Sequence, residues 1–326
     1  MIELTTPQML FLALGAIVLG IILLVKGGNY TIDGAVFIAR KFNISPLVVG
    51  LTIVALGTSL PELIVSINAN IKGSPGIVIG NILGSNLANI LLVIGTTASL
   101  VVIPAVSKGL RLDLAVMMLA TVWMMASLIY GEISRLNGLI MIFALLAYVL
   151  WQYKMAAKGE IVKEDIEEPE FNNIPSAVLF LFLGLVFVAI GAEYLVRGSI
   201  LTADIMGVPD AVIGLSIIAI GTSLPELSTC IIAAMKKQTD IVLGNIVGSN
   251  VFNILLILGF TAAVVPIDTD NLAAQVIQFD IWVTAFISLA FTLIILWFKK
   301  ITRATGFLLV ALYLSYLTGL YYFYMT

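Results

Sequence analysis

Residues 50–62 read GLTIVALGTSLPE, a run that begins apolar enough for lipid and ends in a proline and a carboxylate. Residues 214–226 read GLSIIAIGTSLPE, identical at ten of thirteen positions with an offset of 164. The same offset aligns IGNILGSNLANILLVIG (79–95) with LGNIVGSNVFNILLILG (243–259), eleven identities in seventeen, and it pairs Gly27 with Gly191 and Gly34 with Gly198. The chain is two homologous halves.

Hydrophobic residues make up 61% of the chain and charged residues 11%, with mean hydropathy +1.14, which excludes an ordinary soluble domain. A membrane span needs about 20 apolar residues. Ten such segments are predicted, near 9–28, 46–71, 77–104, 112–130, 135–154, 174–197, 209–235, 241–266, 279–298 and 302–325. The first follows MIELTTPQ, with no basic leader and no small-residue cleavage site, so it is expected to stay as a helix. Of the 16 lysines and arginines, only Lys72, Arg135 and Arg197 fall in loops after even-numbered spans. The positive-inside rule then puts both termini outside the cytoplasm, with the plasma membrane as the expected location.

Each half holds an odd number of spans, so the second is expected to lie inverted relative to the first. Secondary transporters use that arrangement, with the substrate site at the midplane where broken helices meet. The expected fold is all-α: residues 1–154 form the first five-helix repeat, 155–173 a hydrophilic cytoplasmic linker, and 174–326 the second repeat. The linker is too short for a regulatory domain. A single cysteine, Cys230, and no histidine exclude an internal disulfide and argue against imidazole proton relays and soft-metal chemistry.

Pro61 lacks an amide hydrogen and crowds the carbonyl of Gly57, so the helix is predicted to kink there; Pro225 does the same to Gly221. Just beyond each kink stands Glu62 or Glu226, although a charge at the bilayer centre costs about 3 kcal/mol on insertion scales. At helical spacing Glu62 shares a face with Ser59, Thr58 and Ala55, and Glu226 with Ser223, Thr222 and Ala219. In the next span Asn81, Ser85 and Asn89 recur every four residues, matched by Asn245, Ser249 and Asn253. Carboxylates, hydroxyls, amide oxygens and freed carbonyls are the ligand set of a hard cation such as Ca²⁺ or Na⁺. Two glutamates neutralise one Ca²⁺, whereas a single monovalent ion leaves net negative charge.

Other polar residues read as bland. Glu193 and Arg197 pair four apart on a helix surface, with Asn29 at the position matching Glu193. Asp204, Asp210, Asp268, Asp270 and Asp280 are expected in solvated external loops. Tyr321, Tyr322 and Tyr324 read as an interfacial aromatic belt. Met117, Met118, Met124 and Met125 read as packing.

With paired GTSLPE and GNxxGSNxxN segments across its whole length, the sequence resembles the Ca²⁺:cation antiporter superfamily, specifically prokaryotic members of its Na⁺/Ca²⁺ exchanger branch. The resemblance implies ten helices in two inverted repeats and four cation sites midway across the membrane. By position, Glu62 and Glu226 with the carbonyls of Thr58 and Thr222 would form the Ca²⁺ site. Ala219, Ser223 and Ser85 would line the external Na⁺ site, Ala55, Ser59 and Ser249 the internal one, and Asn89 and Asn253 would complete the middle. Asn253 stands where some members carry aspartate, which argues against K⁺ cotransport. Three Na⁺ for one Ca²⁺ would move one charge per cycle, worth roughly 2.3 kcal/mol per 100 mV.

The resemblance further implies alternating access, with the first and sixth helices sliding across the core and their glycines permitting close sliding contact. Ca²⁺, Na⁺ and the bilayer are the expected partners. No cofactor, nucleic acid or obligatory protein partner is expected. Three other readings share the residues: H⁺ in place of Na⁺, a cation channel, and an intramembrane hydrolase using the two glutamates. The last has no histidine partner, nucleophile elbow or metal triad behind it, so the chain is not expected to be an enzyme.

Overall fold

The computed structural model describes residues 6–107, 109–156, 173–206, 219–269, 272 and 275–325. They are almost entirely helical: α1 (Thr6–Lys41), α2 (Pro46–Thr58), α3 (Leu60–Ile71), α4 (Pro75–Leu100), α5 (Leu110–Ile129), α6 (Arg135–Ala156), α7 (Ile174–Ile205), α8 (Leu224–Met235), α9 (Thr239–Val264), α10 (Val276–Phe298) and α11 (Arg303–Met325). Eight of these are long and apolar enough to cross a membrane, and α2 with α3 form a ninth candidate bent by 44°. The protein is a multi-pass membrane protein. The predicted span 209–235 is represented by the short helix Ala219–Gly221 and by α8, and its earlier part lies outside the described residues, as does nearly all of the linker.

Two predicted boundaries need correction. The first span was expected to end near residue 28 and the sixth near 197, yet α1 runs 36 residues to Lys41 and α7 runs 32 to Ile205. At 1.5 Å per residue α1 is about 54 Å long, well beyond the hydrocarbon thickness of about 30 Å. No proline interrupts residues 8–45, and the Gly-Gly-Asn stretch that reads as a loop is held helical by tertiary packing, which overrides propensity.

That packing is a seam of small residues. Ala13, Gly20, Gly27 and Gly34 recur every seven residues on α1; Ala177, Gly184, Gly191 and Gly198 do so on α7. The helices run antiparallel with backbones touching: a methyl added at Gly20 would lie 2.7 Å from the Gly191 carbonyl oxygen, at Gly27 2.7 Å from that of Gly184, at Gly34 2.8 Å from that of Ala177, and at Gly198 2.7 Å from that of Ala13. Small residues permit this approach where lipid supplies no hydrophobic driving force. The glycines of the first and sixth spans therefore fasten those helices to each other, which corrects their expected use as a sliding surface. Two glycines of α1 lie off the seam: Gly28 meets Ile232 of α8, and a methyl at Gly15 meets nothing within 4 Å.

The interior is built on α4 and α9. Both switch to a π-helical turn midway, at Asn89–Ile94 and Asn253–Leu258. Such turns widen the helix and recur at functional sites. Four two-residue strands tie the loops: β1 (Ile103–Pro104) pairs antiparallel with β4 (Lys300–Ile301), and β2 (Glu132–Ile133) with β3 (Ile267–Asp268). β1 and β4 follow the third and ninth predicted spans; β2 and β3 follow the fourth and eighth.

Candidate cation site

Ser45 caps α2, its Oγ accepting from the Val48 amide at 3.4 Å, with Pro46 at the first helical position. The helix stops at Thr58, Ser59 turns the chain (φ −88°, ψ 4°), and α3 restarts at Leu60 with Pro61 in its first turn. The second copy repeats this: Ala219–Gly221, then Ser223 (φ −90°, ψ 2°), then α8 with Pro225 in its first turn. Proline is tolerated there because the first amides of a helix have no intrahelical acceptor. The expected kink is thus a clean break, and it sets Glu62 and Glu226 in the first turn of a new helix. The positive end of that helix dipole favours a carboxylate.

Both carboxylates are buried, Glu62 at 2% exposure and Glu226 at 1%. Contacts cross between the halves. Ser59 Oγ donates to Glu226 Oε1 at 3.3 Å, and Thr58 Oγ1 donates to Asn245 Oδ1 at 3.3 Å. Asn245 in turn donates to Thr229 Oγ1 at 3.2 Å and Cys230 Sγ at 3.4 Å. Asn81 donates to the Glu62 carbonyl at 3.1 Å and to Ser66 Oγ at 2.9 Å. Asn89 Nδ2 donates to Asn250 Oδ1, and Asn253 Nδ2 to Asn86 Oδ1, both at 3.0 Å.

What these bonds leave over defines the site. Thirteen buried side-chain polar atoms lack a hydrogen-bond partner among the described residues, and seven are Glu62 Oε2, Glu226 Oε2, Ser85 Oγ, Ser249 Oγ, Ser223 Oγ, Asn89 Oδ1 and Asn253 Oδ1. An orphaned buried acceptor costs about 1–3 kcal/mol. All seven belong to residues singled out in the sequence, and seven such costs at one place fit a cradle of oxygens for positive charge. The described residues contain no group of three or more His, Cys, Asp and Glu that could hold a metal, so a cation here would rest on two carboxylates and neutral oxygens.

The remaining candidates divide. Ala55 is fully buried against Gly248. Thr58 is buried, whereas Thr222 is half-buried and makes no matching bond to Asn81 among the described residues. Ala219 lies in the helix Ala219–Gly221, with its side chain outside the described residues. Asn86 and Asn250 were missed, although each lies three residues before its asparagine on the same helical face.

Among the residues read as bland, Glu193 and Arg197 do pair on the exposed surface of α7. Asp204 is exposed; Asp210 and Asp270 lie outside the described residues. Asp280 corrects its assignment to a solvated loop: it is 7% exposed, in the first turns of α10, and accepts from Tyr316 Oη at 3.2 Å. A matching buried group in the first half was not foreseen, with Asp113 of α5 accepting from Tyr148 Oη at 2.8 Å and from Gln152 of α6. Met117 and Met124 are core residues, with Met118 and Met125 packed against them. Tyr322 is 69% exposed.

The family model described as "Sodium/calcium exchanger protein" matches residues 12–154 and 176–322. The inner membrane protein YrbG of Escherichia coli is 33% identical, the match covering 96% of this chain and 98% of that protein. The sodium/calcium exchanger MaX1 of Methanosarcina acetivorans is 34% identical, covering 94% and 97%. A solved structure of the sodium-calcium exchanger NCX_Mj, soaked with zero Na⁺ and Ca²⁺, superposes with a TM-score of 0.81 at 32% identity, covering 95% of this chain and 99% of that one.

Proposed function

This chain belongs to the sodium/calcium exchanger protein family, and from that premise we propose a secondary antiporter that expels Ca²⁺ across the plasma membrane in exchange for Na⁺. The observation that carries the reading is the cluster of orphaned buried oxygens on Glu62, Glu226, Ser85, Ser249, Ser223, Asn89 and Asn253. Glu62 and Glu226, with the backbone at Thr58 and Thr222, hold Ca²⁺. Ser85 and Ser223 with Ala219, and Ser59 and Ser249 with Ala55, supply the flanking Na⁺ positions, and Asn89 and Asn253 close the middle. The two negative charges match one Ca²⁺. More than two Na⁺ returning for each Ca²⁺ would make the cycle electrogenic.

Ten spans in two inverted repeats, 1–154 and 174–326 around a cytoplasmic linker, with both termini outside, complete the proposal. The strand ribbons support it, because β1–β4 joins two loops from the basic side and β2–β3 joins two from the other. An in-plane twofold axis would exchange these two ribbons. Alternating access then works by moving the fused α1–α7 pair against the core. Toward the basic side α2 and α9 pack backbone to backbone: a methyl on Gly244 would run into the Leu47 carbonyl oxygen, and one on Gly248 into that of Leu51.

The test is reconstitution into Na⁺-loaded liposomes diluted into Na⁺-free buffer with radiolabelled Ca²⁺, with a pH gradient alone as the second arm. Na⁺-driven uptake abolished by Glu62→Gln and by Glu226→Gln is expected. Uptake that follows only the pH gradient would replace Na⁺ with H⁺ as the coupling ion, and no coupled uptake under either gradient would sink the antiporter.

A further inference from the structure

The two orphaned amide oxygens owe their direction to residues outside the ligand set. Asn89 Nδ2 is held by Asn250 Oδ1 of the other half, and Asn253 Nδ2 by Asn86 Oδ1, each at 3.0 Å. All four side chains are at most 2% exposed. A primary amide carries its oxygen and its NH₂ on opposite branches of one planar carbon. Fixing the NH₂ on a cross-half acceptor therefore turns the oxygen the other way, and in both asparagines that oxygen has no partner among the described residues. Reversed, the same side chain would present two N–H donors to a cation and repel it.

On the reading of the site given above, we propose that Asn86 and Asn250 are positioning residues for cation selectivity, setting Asn253 and Asn89 with oxygen rather than NH₂ toward the ion. The arrangement is reciprocal: each half aims the other half's ligand. Asn250 is itself steadied from α5, its Nδ2 lying 3.8 Å from Met117 Sδ. Second-shell groups act this way in metal sites, and their loss typically weakens affinity about 10- to 100-fold.

Ca²⁺ binding measured by titration calorimetry on the purified, Na⁺-free protein, alongside the melting temperature of the ion-free protein, separates aiming from packing. Asn250→Leu and Asn86→Leu remove the acceptor and should weaken Ca²⁺ binding about 10- to 100-fold. Asn250→Asp and Asn86→Asp keep an acceptor oxygen and should bind Ca²⁺ at or above the wild-type affinity. A merely structural role predicts the reverse, since a buried carboxylate should damage packing at least as much as leucine does. Leucine variants that bind like wild type, or aspartate variants as weak as the leucine ones, would overturn the proposal. Should the leucine variants not fold, Asn250→Ser and Asn86→Ser, too short to reach the amide, give the same contrast with aspartate. Failure of the antiporter reading would show in the wild type itself, as no Ca²⁺ heat and no Na⁺-driven uptake, whereas failure of this inference shows only in the variants.

Discussion

The hexapeptide GTSLPE occurs twice, and the two copies keep different company. In the first copy Thr58 is buried and donates to Asn245, and Ser59 donates to Glu226. In the second, Thr222 is half-buried and Ser223 Oγ is buried with no partner among the described residues. The backbones at the two breaks are nonetheless nearly superposable, with Ser59 at φ −88°, ψ 4° and Ser223 at φ −90°, ψ 2°. Local sequence dictates the break, because proline and the helix N-terminus act within one turn. The wider packing dictates the hydrogen bonds, and there the halves differ. Under the proposed alternating-access cycle, the halves would have to be alike in backbone and unlike at any one moment in contacts.

The strongest attack on this comparison is at the carboxylates. Glu62→Gln and Glu226→Gln each remove one of two charges needed against a divalent ion, and both should reduce exchange at least about 100-fold, since charged ligands in low dielectric are the costliest to lose. Equal losses in liposome flux are expected, because both carboxylates are buried to the same degree and each has an orphaned oxygen. A surviving variant at either position would break the pairing.

The seam between α1 and α7 should behave symmetrically as well, but through packing. Gly27→Ala and Gly191→Ala each place a methyl within 2.9 Å of opposing backbone, whereas a methyl at Gly15 meets nothing within 4 Å. Overpacking of this kind costs about 1–3 kcal/mol. Both seam variants should lower the melting temperature and slow exchange to a similar extent, with Gly15→Ala unchanged. A seam variant as stable as wild type would mean that the two helices do not move as one.

Asymmetry shows in the hydroxyls. Thr58→Val removes the bond to Asn245, and Ser59→Ala the bond to Glu226. A buried hydrogen bond contributes about 0.5–1.5 kcal/mol, so the apparent Ca²⁺ affinity should fall about 2- to 10-fold. Thr222→Val should move it less than Thr58→Val, having no equivalent bond to lose. Equal effects would say that the second copy makes the same bonds elsewhere in the cycle.

Much of this was legible in the sequence and some was not, for physical reasons. The repeat, the broken helices and the oxygen-rich faces follow from local rules: proline chemistry, the 3.6-residue period and the cost of a carboxylate in lipid. The length of α1 did not, because KGGNYTIDGA has loop-like composition and is kept helical by packing against α7 across the seam and against α8. Asp280 looked like loop charge because its partner, Tyr316, lies 36 residues away on α11. Asn86 and Asn250 escaped notice because aiming a ligand leaves no compositional trace; the signal is a bond between halves, visible only once the halves are packed.

The smallest predicted effect lies at the rim. Lys236 Nζ is 2.6 Å from Asp33 Oδ1, joining α1 to the end of α8, with both side chains about one-third exposed at 32% and 37%. The repeat offset maps Asp33 onto Arg197 and Lys236 onto Lys72, so the mirror position brings together two cations where this one joins opposite charges. Arg197 is bonded instead to Glu193 on its own helix. If the fused α1–α7 pair shifts toward the mirror arrangement, one attraction is lost and none replaces it, which biases the carrier toward the state seen here. Exposed pairs contribute at most about 1 kcal/mol and less in salt, so Asp33→Asn should shift the balance only about two- to fivefold. The shift would be read as the ratio of apparent Ca²⁺ affinities on the two faces of sided liposomes. The exchange Asp33→Lys with Lys236→Asp should restore that ratio, and Arg197→Glu, which gives Lys72 an opposite charge, should move it the same way as Asp33→Asn. A ratio indifferent to all three would leave the rim charges without a role in the bias and place its origin in the buried hydroxyl bonds alone.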